Sequence, residues 1–438
     1  MFRLCRLFLL VLLLAPLTPA QQATRWLTIL HVNDLHARLL PDVDGRGGFA
    51  HLATAIERER AGSKSCLLLN GGDFVQGSPV STLFQGVPVF EIANLFRFDV
   101  ATLGNHDFDY GWQMVPRYLR TARFPVVLAN VVNDQGRLLT GRAYLIKTVN
   151  GIRVAVIGAV MGNLLSYATP ERMGPWRALP ATESVRKYAA EVRDRADLIV
   201  LLAHLELAEQ SEMLSEAPEV GVVIGGHVHG ALPAPEEFEG RVLVRAASYG
   251  RELGRLDLEM DVPAKKVVAW KWKRILVDAK TIPPAKDVAA RVSTWEARVS
   301  KIVDVPIGEA RRDIAAANLK RLMERAMTDE TGADLAFMNP GGIRDRLPKG
   351  RLLARHVWNI MPFDNEVVVG KFKGAQLPAA VTAGHSINPS REYTLAVTDF
   401  TAINQKEQMG TTGLVFPKTG PLLRDVLVEW IKKQKIVE

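Results

Sequence analysis

Three side chains able to bind a metal or move a proton crowd the stretch Thr102-Leu103-Gly104-Asn105-His106-Asp107-Phe108-Asp109. Asn105 offers an amide oxygen, His106 an imidazole and Asp109 a carboxylate, which together supply ligand atoms and an acid–base pair. The stretch follows an apolar run from Phe98 to Leu103 that predicts a buried strand, and Gly104 lets the backbone turn sharply. An α/β sheet presents its chemistry at such places, the carboxyl ends of its strands.

The same arrangement recurs along the first half. Trp26 to His31 predicts a strand running into Asp34 and His36, two residues apart and able to face one way. Cys66 to Leu69 predicts another, ending at Asn70-Gly71-Gly72-Asp73. Ala196 to Ala203 leads into His204-Leu205-Glu206, and Val220 to Ile224 leads into Gly225-Gly226-His227-Val228-His229. Phe124 to Asn130 and Ile152 to Val160 also read as strands, and Phe49 to Arg60 has helical apolar spacing. Five of the nine histidines sit at these strand ends; His31 lies inside a strand run and His51 on the helix. Imidazole and carboxylate ligands without thiolates suit Zn, Mn, Fe or Co, and they are numerous enough for two ions sharing one bridging carboxylate.

Asp-x-His, Gly-Gly-Asp, Gly-Asn-His-Asp, a lone His and Gly-His-x-His, in this order, resemble the calcineurin-like metallophosphoesterases. The resemblance covers roughly residues 26 to 230. It implies a four-layer α/β sandwich, two sheets flanked by helices, with a dimetal site at the sheet edge. It implies that Asp34, His36, Asp73 and His229 hold one divalent ion, and that Asp73, Asn105, His204 and His227 hold the other. The family pattern pairs His106 with Asp109 as a catalytic dyad, which Asp107 does not join.

Arg241 to Ala247 and Leu253 to Val262 read as strands that finish this first domain, taken as 24–280. After Pro283-Pro284, Asp287 to Val303 has apolar residues at helical spacing and predicts a linker helix within 283–303. The remainder, 304–438, carries Arg312, a helix from Asn318 to Met327, and a strand Asp334 to Met338 ending in Asn339-Pro340-Gly341-Gly342-Ile343-Arg344. Phe363 and Phe400 follow, each in a polar context. This part resembles the smaller α/β C-terminal substrate-binding domain of 5′-nucleotidases. The resemblance implies that Phe363 and Phe400 stack on either face of a nucleobase, while Arg312, Asn339, Gly342 and Arg344 address the ribose and other polar parts of a nucleotide. Three departures stand out: Pro340 replaces a glycine of the family's Gly-Gly-Gly-Ile-Arg, Ala317-Asn318 stands for Gly-Asn, and Asn404 to Gln408 replaces a Gly-Gly-Asp-Gly loop.

At 438 residues with 48% hydrophobic and 23% charged content, the chain suits two folded domains. Arg3 and Arg6, the apolar run Leu7 to Ala15 and the small residues before Gln21 read as a signal peptide, residues 1–20. Its removal takes Cys5 away, so Cys66 stands alone and no disulfide framework is expected. The positive charge is scattered rather than blocked, which argues against a nucleic-acid polymer as partner, and no later segment is apolar enough to span a membrane. Nothing in the sequence sets an oligomeric state. The expectation is a secreted phosphohydrolase, periplasmic in a two-membrane bacterium, that releases phosphate from nucleoside 5′-monophosphates. UDP-sugars, 2′,3′-cyclic nucleotides and carrier-bound sulfur compounds are alternative substrates on the same scaffold. A nucleotide-binding protein that has lost catalysis is the non-enzymatic alternative.

Overall fold

A computed structural model describes residues 24–63 and 65–438; the expected signal peptide lies outside the described residues. Two sheets lie face to face. In the first, Thr24–Val32 is central, paired in parallel with Cys66–Asn70 and antiparallel with Glu252–Asp261; Val100–Ala101 and Lys266–Leu276 form its edges. The second runs Glu236–Phe238, Arg241–Val244, Val222–Gly225, Leu198–His204, Ile152–Val160 and Tyr144–Val149, with its middle four strands parallel. Alternation along each strand sends Leu27, Ile29, Leu67 and Leu69 of one sheet against Val154, Val156, Val200 and Ile224 of the other, making the inner core. Helices cover the outer faces: Phe49–Ala61 buries Leu52 and Ile56, and Ala181–Val192 buries Val185 and Ala189.

His31 points into the inner core at the end of this alternation. It is fully buried and stacked on Trp272 at 5.3 Å, and neither ring nitrogen has a hydrogen-bond partner among the described residues. Burial drives its pKa down to about 3, so it is a neutral packing residue.

The strand expected over Phe124 to Asn130 is a correction. Only Val126 bridges Ala101, after which the backbone N–H of Ala129 donates to Gly158 O in the other sheet. Pro125 has no N–H to give a ladder, and the segment crosses from one sheet to the other instead of extending either. The strands expected before His106 and before Asn339 shrink to Val100–Ala101 and Leu335–Ala336.

Lys286–Val303 forms the connecting helix and buries Val288, Val292 and Val299 against the first domain. A separate core then gathers residues between Ile307 and Val437, built on the helices Ala316–Thr331 and Leu423–Gln434 and two three-stranded sheets. The two halves meet through polar contacts. Arg38 donates to Asp345 Oδ2 at 2.7 Å and to Arg344 O at 3.0 Å, and Thr82 Oγ1 donates to Pro362 O at 3.1 Å. No helix among the described residues is long and apolar enough to cross a membrane.

Candidate active site

In-register parallel pairing places Val32, Asn70 and Ala101 side by side, and Ala203 beside Gly225 in the other sheet. The loops beyond these ends converge. Their glycines are there for clearance: a Cβ on Gly104 would stand 2.1 Å from Asp73 Oδ1, and one on Gly226 would stand 2.4 Å from Gly71 O. Asp34, His36, Asp73 and His227 adopt positive φ of 51°, 46°, 55° and 68°. Each such non-glycine residue costs on the order of 1–3 kcal/mol, the kind of strain that collects at functional sites.

The seven expected ligands are brought together. His36 Nε2 lies 3.0 Å from His229 Nε2 and 3.5 Å from Asp73 Oδ2. His204 Nε2 lies 3.2 Å from Asp73 Oδ2 and 3.1 Å from Asn105 Oδ1, which in turn is 3.1 Å from His227 Nδ1. His229 Nε2 is 3.8 Å from Asp34 Oδ1. Asp34, His36 and His229 present ligand atoms within 4.8 Å of one another, as do Asp34, Asp73 and His204.

The donor chemistry fits divalent cations. His36 Nδ1 faces Gln76 O at 2.7 Å and His204 Nδ1 faces Gly71 O at 2.8 Å, so each Nδ1–H is occupied and each Nε2 is aimed inward, where a cation would take its lone pair. Asp73 Oδ2 and Asn105 Nδ2 are buried without a hydrogen-bond partner among the described residues. Burial alone would raise the pKa of Asp73, yet His204 and His106 hold it well below the usual carboxylate range. Inward ring nitrogens around an ionised, fully buried carboxylate make a cluster that a cation relieves.

His106 stands at the cluster's rim. Its Nδ1 is 2.8 Å from Asp109 Oδ2, and its Nε2 is 3.1 Å from Arg344 Nη2 of the second half. Burial opposes charge on this ring, but Asp109 and Asp73 outweigh it and raise its pKa.

A calcineurin-like phosphoesterase family model matches residues 27–231, and a 5′-nucleotidase C-terminal domain model matches 299–383. The chain belongs to the 5′-nucleotidase family. Protein UshA of Escherichia coli is 26% identical over 84% of the chain and 78% of its own length. Endonuclease YhcR of Bacillus subtilis is 27% identical over 93% of the chain, which spans only 39% of that longer protein. The crystal structure of a 5′-nucleotidase precursor from Thermus thermophilus superposes with a TM-score of 0.84 at 24% identity, covering 94% of this chain and 97% of that one, and so shares the two-domain α/β fold. The chain is accordingly a metal-dependent hydrolase.

A cleft of about 240 Å³ opens between the family's two domains, above His106. Asn339, Gly342, Arg344, Phe363 and Phe400 all line it. Phe363 stacks on His106 at 5.7 Å, and the Arg344 guanidinium lies 5.2 Å from the Phe363 ring. Arg344 therefore stands at the His106 end of the cleft. Arg312 does not join these residues: it is exposed beyond the strand Pro306–Ala310 and is not part of the cleft lining. The polar stretch after Phe400 folds as the short helices Asp399–Ile403 and Gln405–Met409. The side chain of Gln405 pins them by donating to Leu414 O and accepting from Leu414 N, and Gln408 reaches the cleft. Tyr167, Arg172 and Asn365 are further wall residues that spacing alone did not single out.

Asp107, between His106 and Asp109, does not line the cleft. Its buried carboxylate accepts backbone N–H bonds from Asp73, Phe74, Val75 and Gly104 at 2.9–3.2 Å. One side chain thus ties the Asp73 loop to the Asn105 loop. Asp107→Ala strands four buried donors, and urea melts of the metal-free protein should show a loss of about 3–5 kcal/mol.

Proposed function

We propose that this chain is a dimetal phosphohydrolase that releases phosphate from nucleoside 5′-monophosphates. The observation that carries the reading is His106, backed by Asp109, faced by Arg344 across the domain boundary and set against the seven-residue cluster. We assign Asp34, His36, Asp73 and His229 to one ion and Asp73, Asn105, His204 and His227 to the other. Divalent ions bound there supply charge to a phosphate's oxygens and make water acidic enough to attack at neutral pH. The remaining work falls to the chain's own residues. Asp109 keeps the His106 Nδ1–H occupied, which aims Nε2 at the cleft. In this structure Arg344 Nη2 donates to His106 Nε2; a proton taken up on Nε2 frees that guanidinium for an anion, so that both positive groups face the phosphate end of the cleft. The same Nε2–H is placed to protonate the departing alkoxide oxygen.

Phe363 and Phe400 are assigned to the base, and Asn339, Gly342 and Gln408 to the polar parts of the nucleoside. Base stacking is worth ~1–3 kcal/mol per aromatic face, so Phe400→Ala should raise KM about tenfold with kcat little changed, read from initial rates across substrate concentration. We place the phosphoesterase domain at 24–280, the linker helix within 283–303 and the substrate domain at 304–438. The leader at residues 1–20 supports secretion, into the periplasm where there are two membranes.

The deciding experiment strips the protein with chelator and restores Mn, Zn or Co separately. Products are then measured on each substrate: phosphate from nucleoside 5′-monophosphates, UMP and glucose 1-phosphate from UDP-glucose, and the ring-opened monophosphate from 2′,3′-cyclic nucleotides. Fastest turnover of the 5′-monophosphates supports the reading; failure to release phosphate from any of them with every metal removes it.

A further inference from the structure

Beside the cluster, His227 meets a carboxylate that is not among the seven ligands. Glu206 Oε1 lies 3.4 Å from His227 Nε2, while His227 Nδ1 faces Asn105 Oδ1 on the cluster side. The hydroxyl of Tyr167 donates to the same Glu206 oxygen, and the Tyr167 ring packs edge-on against His227 at 5.2 Å and 82°. The carboxylate is therefore held from two sides. Its backbone is fixed too, because the N–H of Glu206 donates to Glu209 Oε2 at 3.1 Å where the helix Leu207–Glu216 begins.

A neutral imidazole has one N–H to place. An acceptor-only group at Nε2 claims it and leaves the Nδ1 lone pair for a cation, the arrangement by which outer carboxylates fix metal-binding histidines. The other two histidines whose partners are carbonyls, His36 and His204, are set the opposite way round, with Nδ1 protonated and Nε2 inward. His227 comes from a different loop geometry and needs a different anchor. The strand Leu198–His204 supplies both parts, His204 at its last residue and Glu206 two further on.

We propose that Glu206, braced by Tyr167, is a positioning residue that locks His227 in the Nε2–H tautomer and turns its Nδ1 toward the cation position shared with Asn105 and His204. This rests on the dimetal reading above. It also ties a wall of the substrate cleft to one ion only, since Tyr167 lines that cleft.

Chelator-stripped protein titrated calorimetrically with Zn separates the two claims. Wild type should take up two ions per chain. Glu206→Ala should weaken one of them by about 10–100-fold and leave the other unchanged. Glu206→Gln, which keeps an acceptor oxygen, should recover part of the loss. Tyr167→Phe, which removes a single hydroxyl and leaves the fold intact, should weaken the same ion by less. Nitrogen-15 histidine spectra of the stripped protein should show His227 as the Nε2–H tautomer in wild type and as a mixture in Glu206→Ala. Unchanged affinity for both ions in Glu206→Ala overturns the proposal whatever the tautomer. A wild type that binds no ion removes the dimetal reading and this proposal with it, and a wild type that binds two ions leaves that reading standing even if Glu206→Ala binds them as tightly.

Discussion

His106→Asn should lower turnover by about 10²–10⁴-fold while two ions per chain remain bound. The ring is not needed to complete the cluster: its Nδ1 is taken by Asp109 and its Nε2 faces Arg344 and the cleft. Its backbone N–H, which donates to Asp73 Oδ1 at 2.9 Å, survives the substitution, so the loop holding Asp73 keeps its shape. What is lost is the proton donor beside the departing oxygen and a positive neighbour for the phosphate. The loss should therefore shrink for esters of acidic phenols, which leave without protonation. Comparing nucleoside monophosphates with 4-nitrophenyl phosphate in wild type and variant checks this. An equal loss on both would assign His106 to phosphate charge alone, and no loss on either would remove it from the reaction.

The site was legible in the sequence because its residues obey a local rule. Asp34, Asp73, Asn105 and His227 each follow an apolar run and a turn, His204 ends such a run, and parallel pairing turns that repeated pattern into spatial convergence. What escaped depends on contacts between distant elements. Glu206 carries no signal of its own beyond its place two residues after His204, and becomes notable only where Tyr167 and His227 close on it. Arg38, likewise, is an ordinary loop arginine until it meets Asp345 and the Arg344 carbonyl in the other half. Arg312 stands apart from the residues of the cleft: the motif around it resembles the family's, yet its strand ends at Ala310 and the residue is exposed outside the cleft lining. Strand lengths near the site were overestimated because apolar runs persist through turns, whereas the ladders stop after Ala101 and Ala336.

Asp73→Asn should separate function from stability most sharply. Asp73 Oδ2 lies close to histidines of both sets, 3.5 Å from His36 Nε2 and 3.2 Å from His204 Nε2. An amide there keeps the volume and can still accept the His106 N–H, but it removes the only charge that both ions would share. Uptake of both ions should fall, and with it activity by on the order of 10⁴-fold or more, several kcal/mol of lost transition-state charge stabilisation. The metal-free protein should respond differently. Asn tolerates the left-handed backbone at φ 55° and keeps the side-chain volume, but it gives up the attraction to His204 and His106 that holds the carboxylate ionised, which offsets the relief of a desolvated charge. Metal-free Asp73→Asn should thus melt close to or slightly below metal-free wild type, while the rise in Tm that added Zn or Mn gives wild type disappears. A variant that melts well below metal-free wild type would make Asp73 a structural residue. One that keeps the metal-induced rise would show that the two cation positions do not depend on a shared carboxylate.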